Sequence, residues 1–198
     1  MKRGRLIVIS APSGAGKSTV IHKLVERNSN FEPSISYTTR QPRNAEKHGV
    51  DYRFIQKAEF VKKIESNYFL EWARVHEKYY GTGKSDIEKI IDRGHNALLD
   101  IDVQGALIIK SSSIVPVTIF ILPPSKEVLL KRLKTRGDLS EKELEIRVKN
   151  AREELSRAES YQYIIINKDI EETVQIIEKI ILSETYKIEY FTIHRSIS

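Results

Sequence analysis

The chain has 198 residues, 40% of them hydrophobic and 30% charged, a balance that suits a folded globular protein and excludes a disordered one. It contains no cysteine, so disulfides, thiolate zinc sites and cysteine nucleophiles are excluded, and no apolar run approaches the length of a membrane span. The formal charge of +6 admits nucleic acid, an anionic membrane or small polyanions as partners, and the placement of the arginines has to decide among them.

The opening MKRGRLIVISAPSG has a basic start but too short an apolar run for a signal segment, which predicts a cytoplasmic protein. Within it, RLIVIS is an unalternating apolar run, as expected of a strand buried on both faces of a parallel sheet. STVIHKLVERN follows with apolar residues at helical spacing. From about Ile35 to Tyr80 the text turns aromatic and alternating (SISYTTR, DYRFI, FLEWARV, KYYG), predicting a small, mainly antiparallel sheet inserted into the core. KSDIEKIIDRG restores the helical period, and NALLDID and VTIFIL read as two more buried strands.

A long charged helical run covers Lys126 to Arg157. It breaks at TRGDLSE, where Ser140 and Glu143 form a capping box that restarts the helix. YIIIN is a last strand, DIEETVQIIEKIIL a last long helix, and the tail after it reads as that helix fraying. Strands alternating with helices predict an α/β fold: a three-layer core with a parallel sheet, a small inserted subdomain and a helical lid. The expected division is a core of residues 1–34, 86–125 and 158–198, an insert of 35–85 and a lid of 126–157.

The chemistry is densest in SAPSGAGKST. A buried strand ending in a glycine-rich turn that opens a helix aims backbone N–H groups and the positive helix end at one point, which makes an anion cradle. Ala11, Pro12, Ser13, Gly14, Ala15 and Gly16 would form this phosphate loop (P-loop), with Lys17 as its mobile charge. Ser18 can offer a hydroxyl to a magnesium ion, and Thr19 continues the helix start. Ala11 stands where the strict pattern has glycine, a departure of one methyl group. The partner acid of such sites has its candidates in LLDID, where Asp100 and Asp102 close a buried run; Asp102 also stands where it would cap a helix over VQGAL.

The insert carries SYTTRQPR, in which Arg40 and Arg43 flank a stiffening proline, with Tyr52 and KYYG beyond. Two guanidinium forks and tyrosine hydroxyls suit a second phosphate, because arginine binds oxyanions bidentately and stays charged. The histidines His22, His48, His76, His95 and His194 lack metal-ligand spacing and read as structural or surface residues, and Trp72 reads as core.

Taken together, SAPSGAGKST, YTTRQPR, GVDYRFI, FLEWARV, YYGT, LLDIDVQGA, ILPPS, RLKTRG and IIIN occur in the order and rough spacing of guanylate kinases, and the chain resembles that family from Arg5 to Asn167. The resemblance implies transfer of the γ-phosphoryl group of ATP to GMP with Mg2+, with ATP and GMP as partners, no nucleic acid and no membrane, and either a monomer or a homodimer. It implies that Arg40, Arg43, Tyr52 and Tyr80 hold the GMP phosphate, and that Ser36, Glu71, Thr82 and Asp102 form the guanine pocket. Thr82 stands where the family often has serine, which keeps the hydroxyl. Arg132, Arg136 and Arg147 resemble lid arginines that close over the phosphates, with Arg152 a looser match, and Asn167 resembles a residue near the adenine.

The pocket chemistry is independent of the family. Guanine donates from N1 and N2 and accepts at O6, so a carboxylate with a hydroxyl satisfies it, whereas adenine would leave buried polar groups unpaired. Alternation in FLEWARV sets Glu71 on the opposite side from Leu70 and Trp72. Two rival readings remain: a non-catalytic phosphopeptide-binding module of the same fold, and a related sugar-phosphate kinase. The first should lack the loop lysine or the lid arginines, the second Ser36, Glu71 and Asp102.

Overall fold

The structure, a computed structural model, describes residues 3–43, 45–75, 77–110, 112, 114–135 and 141–187. Its centre is a five-stranded sheet in the order β2-β7-β1-β8-β9, formed by β1 (Leu6–Ser10), β2 (Phe31–Pro33), β7 (Asn96–Asp100), β8 (Val117–Leu122) and β9 (Tyr163–Ile166). Every pairing in it is parallel. The unalternating sequence of β1 follows from its central place. Leu6 and Val8 point into one apolar cluster with residues of α3 (Lys84–Asp92) and α4 (Val103–Lys110), whereas Ile7 and Ile9 point into another with α1 (Lys17–Arg27) and α7 (Ile170–Glu184). Helices on both faces leave no strand position wet, and β1 is buried throughout.

The second sheet has four strands in the order β4-β3-β6-β5: β3 (Tyr37–Thr38), β4 (Arg53–Phe54), β5 (Phe69–Val75) and β6 (Lys78–Gly83). Two of its pairings are antiparallel, and β3 with β4 is parallel, so the sheet is mainly antiparallel as expected. Between β4 and β5 lies α2 (Lys57–Glu65), a helix absent from the sequence reading, whose Phe60 is fully buried against the sheet and stacks on Phe69 at 4.4 Å.

The charged run forms α5 (Lys126–Thr135) and α6 (Glu141–Leu155). The break between them, with Arg136 and Ser140 of the expected capping box, lies outside the described residues. Leu129 and Leu133 of α5 pack on Ala151 of α6.

Two details depart from expectation. Trp72 is 39% exposed and leans on Tyr79 rather than entering the core. A register shift lies between Phe69 and Glu71, and Leu70 and Glu71 are both buried, so the alternation that set Glu71 opposite Leu70 does not hold there. Asp169 caps α7, its side chain accepting the Glu172 backbone N–H. No helix among the described residues is long and apolar enough to cross a membrane.

Candidate functional site

The turn after β1 is built on left-handed glycines, Gly14 at φ 90° and Gly16 at φ 94°. Both glycines are also closely approached. A Cβ on Gly16 would lie 2.6 Å from Asn167 Nδ2, and one on Gly14 would lie 3.3 Å from Leu129 Cδ1 and Leu133 Cδ2. Gly16 precedes α1 without any side-chain cap, and the first turn of the helix carries no acidic residue, so its N–H groups are open to an anion.

Asn167 is 2% exposed and its amide is committed within the protein. Nδ2 donates to the Ala15 carbonyl at 2.8 Å, and Oδ1 accepts from the Thr173 hydroxyl at 3.1 Å. Arg132 Nη1 donates to the same carbonyl at 3.3 Å. Asn167, expected near the adenine, is thus held against the underside of the glycine-rich turn and fixes its shape.

Lys17 lies across the mouth of the turn, ion-paired with Asp100 at the end of β7 and donating to the Ile101 carbonyl at 3.3 Å. Ser18 is exposed at the start of α1. One carboxylate and one hydroxyl fit a magnesium ion that keeps most of its waters and takes its other ligands from a phosphate chain. The described residues contain no group of three His, Asp or Glu side chains that would make a dedicated metal cage.

Across the cleft, Ser36, Tyr52, Glu71, Tyr80, Asp100 and Asp102 line one cavity of about 220 Å³. At its base Glu71 is 5% exposed and Thr82 fully buried, with Thr82 Oγ1 donating to Glu71 Oε1 at 2.6 Å. Burial pushes the Glu71 carboxyl up to about 7; the Thr82 hydroxyl pulls the other way, and the nearby Asp102 charge adds to the rise. Asp102 accepts the Gly105 N–H at 2.9 Å and so caps α4 while facing the cavity.

Arg40 stands at the rim, its guanidinium over the Tyr52 ring at 5.3 Å, with Tyr52 and Tyr80 edge to face at 6.2 Å. Glu46, which the sequence reading passed over, clasps Arg40 bidentately and accepts the Arg43 backbone N–H at 2.8 Å. Arg43 itself is exposed. Arg147 lies part-buried on α6. Arg136 lies outside the described residues. A second unanticipated group ties the four-stranded sheet to α3: Arg53 of β4 pairs with Asp86 in the first turn of α3 and donates to Tyr37 Oη at 2.8 Å.

An anion cradle and an acidic, hydrogen-bonding pocket that face each other across a cleft define a nucleotide-binding kinase of the α/β class. The sequence profile of guanylate kinases matches residues 3–184. A guanylate kinase of Caldanaerobacter subterraneus subsp. tengcongensis is 46% identical over 95% of this chain and 91% of its own length. One from Rickettsia bellii is 44% identical over 93% and 97%. The crystal structure of guanylate kinase from Anaplasma phagocytophilum superposes with a TM-score of 0.75 at 35% identity, covering 95% of this chain and 89% of that one. The chain belongs to the guanylate kinase family.

Proposed function

We propose that this chain catalyses ATP + GMP to ADP + GDP, by in-line attack of a GMP phosphate oxygen on the γ-phosphorus and cleavage of its bond to the β-γ bridging oxygen. The observation that carries the reading is the pairing of Glu71 with Thr82 in a cavity also lined by Tyr52, over whose ring Arg40 lies, and by Asp100, which is ion-paired with Lys17. Guanine fits there because its N1 and N2 hydrogens find a carboxylate, with the hydroxyl of Ser36 available to O6.

The acceptor needs no general base. A phosphate monoester has its second pKa near 6, so GMP arrives largely as a dianion at neutral pH. The obstacle is repulsion between that dianion and the ATP tail, which favours cations placed where charge spreads in the transition state. In this reading residues 11–19 cradle the donor phosphates, with N–H groups supplied by Gly14 and by Gly16 to Thr19, and Lys17 leaves Asp100 to meet the β- and γ-oxygens. Arg40 and Arg43, with the Tyr52 and Tyr80 hydroxyls, align the acceptor. Arg132, Arg136 and Arg147 close on the transferring group. Ser18 and Asp100 would hold the magnesium ion, which supplies charge neutralisation between the phosphates.

The division into a core of 1–34, 86–125 and 158–198, a GMP-binding insert of 35–85 and a lid of 126–157 belongs to the same reading, as does a cytoplasmic location. Retention of Lys17, Arg132 and Arg147 argues against a non-catalytic phosphopeptide-binding module, and the Glu71 pocket against a sugar-phosphate kinase. A coupled assay of ADP formation with GMP, dGMP, AMP and no acceptor tests the proposal: turnover with GMP far above AMP is expected, and equal turnover with AMP overturns the guanine pocket.

A further inference from the structure

Helix α4 packs on β5 through Val103 and Ala106, which share an apolar cluster with Leu70, and Gly105 lies buried in the first turn of the same helix. Its backbone is helical and carries no positive φ, so nothing in its conformation asks for glycine. Within a helix, glycine is less stable than alanine. The reason for it lies in what surrounds the position.

The space that a side chain would take is filled. A Cβ on Gly105 would lie 3.4 and 3.5 Å from Cδ1 and Cβ of Ile101, which is ordinary contact, and 3.1 Å from Glu71 Oε2, which is closer than a methyl group tolerates. The helix cannot give way. Asp102 Oδ1 accepts the Gly105 N–H at 2.9 Å and the Asp102 carbonyl accepts the Ala106 N–H at 3.1 Å, so the backbone is fixed at this turn. Glu71 is tied on its other oxygen by the Thr82 hydroxyl at 2.6 Å. The open space beside its carboxylate is the cavity that it lines with Ser36 and Asp102.

We propose that Gly105 is a positioning residue of the guanine pocket: the notch it leaves in α4 lets the Glu71 carboxylate sit back against the helix, where both oxygens can meet the two donors of guanine. The inference rests on the assignment of Glu71 to guanine. A methyl group at this position would push Oε2 a few tenths of an ångström into the space of the base. A bidentate pairing has to satisfy two hydrogen bonds at once, and a displaced carboxylate keeps one and strains the other. Asp102 caps α4 and lines the same cavity, so the first turn of this helix carries one carboxylate of the pocket and sets the depth of the other.

The test is steady-state kinetics on the full chain with ATP and Mg2+, comparing GMP with inosine monophosphate (IMP) as acceptor. Hypoxanthine keeps N1–H and O6 but lacks the 2-amino group, so it offers the carboxylate one donor where guanine offers two. The variants are Gly105→Ala, Glu71→Asp and the two together. Gly105→Ala is expected to raise the KM for GMP about fivefold, leave the KM for ATP within about twofold of the parent, and cut the preference for GMP over IMP in kcat/KM about fivefold. The melting temperature of the nucleotide-free variant should not fall, because alanine favours the helix. In the Glu71→Asp background, whose shorter side chain draws the carboxylate back from α4, the Gly105 substitution should have no further effect on the KM for GMP. If Gly105→Ala alone does not fold, the double variant should; failure of both would place the obstacle at Ile101 and overturn the proposal. An unchanged preference for GMP over IMP, equal losses for GMP and ATP, or an effect of Gly105→Ala undiminished beside Glu71→Asp would each overturn it too. A parent that phosphorylates AMP as fast as GMP would instead sink the functional reading on which the inference rests.

Discussion

Arg40 and Glu46 meet fork to fork, Nη1 donating to Oε2 and Nη2 to Oε1, each at 2.8 Å. Nη1 also donates to the Gln41 carbonyl, so both of its hydrogens are committed, whereas one Nη2 hydrogen and the Nε hydrogen stand outside this clasp. Glu46 thereby aims Arg40 rather than competing for it. The Arg40 guanidinium draws the Glu46 carboxyl down to about 2, with the Arg43 N–H helping, so the pair is ionised at neutral pH. Glu46→Ala should raise the KM for GMP about tenfold and change kcat less, because a disordered guanidinium still carries its charge but not its geometry. Kinetics at varied GMP will read this, and a KM within experimental error of the parent would mean that Tyr52 alone orients Arg40.

Glu71 makes the opposite prediction about pH. Only its ionised form accepts both guanine donors, and burial sets its carboxyl at about 7 in the empty pocket. Below that pH a proton must leave before GMP binds, so the KM for GMP should rise as pH falls through 7, approaching about tenfold per unit. Stability runs the other way. The folded pKa lies above the value of 4.5 for the unconstrained group, so the unfolded state sheds its proton first and the nucleotide-free protein loses stability as pH rises from about 4.5 to 7. Glu71→Gln should flatten both profiles, lifting the melting temperature near neutrality while weakening GMP. A KM that ignores pH from 6 to 8 would place the proton elsewhere.

These two carboxylates also mark what spacing along the chain can reveal. The strand RLIVIS and its glycine turn are legible because burial on both faces leaves an unbroken apolar run, and Gly14 and Gly16 are demanded by positive φ. Glu71 is legible by its chemistry, but its burial depends on a register shift after Phe69 that alternation cannot foresee, and Trp72 faces solvent as a result. The strand at Phe31–Pro33 is three residues long and ends in proline, too short for any period. Helix α2 hides inside an aromatic stretch because Phe60 is the only residue it buries fully. Asn167 reaches the turn across 152 residues, a relation that exists only after folding.

Asn167 carries the next prediction. Replacing it by alanine removes the amide donor from the Ala15 carbonyl, leaving Arg132 at 3.3 Å as the remaining side-chain donor, while the Thr173 hydroxyl keeps the Asp169 carbonyl at 2.7 Å. Losing one buried hydrogen bond of this kind costs about 1–3 kcal/mol. Part of that should appear as a lower melting temperature and part as a KM for ATP raised several-fold, with the KM for GMP unchanged because neither Asn167 nor Ala15 lines the cavity proposed for guanine. Gly16→Ala attacks the same joint from the other side, since its Cβ would meet Asn167 Nδ2 at 2.6 Å on a left-handed backbone. It should weaken ATP at least as much. Equal losses for ATP and GMP would show a general loosening of the fold rather than a local one.

Asp100 is ion-paired with Lys17, and in the proposed reading it would also hold the magnesium ion together with Ser18. Those two tasks pull an Asp100→Asn variant in opposite directions. Without the counter-charge Lys17 is released and the site loses a repulsive carboxylate, so ATP without metal should bind more tightly than to the parent. With metal, turnover should fall about a hundredfold, because the transition state needs the cation fixed between the phosphates, and more Mg2+ should be needed to reach half-maximal rate. Calorimetric titration of ATP in chelator, set beside a Mg2+ titration of kcat, separates the two effects. If metal-free binding and turnover weaken together, Asp100 serves only to hold Lys17 in place, and the metal takes its ligands from Ser18, water and the phosphates alone.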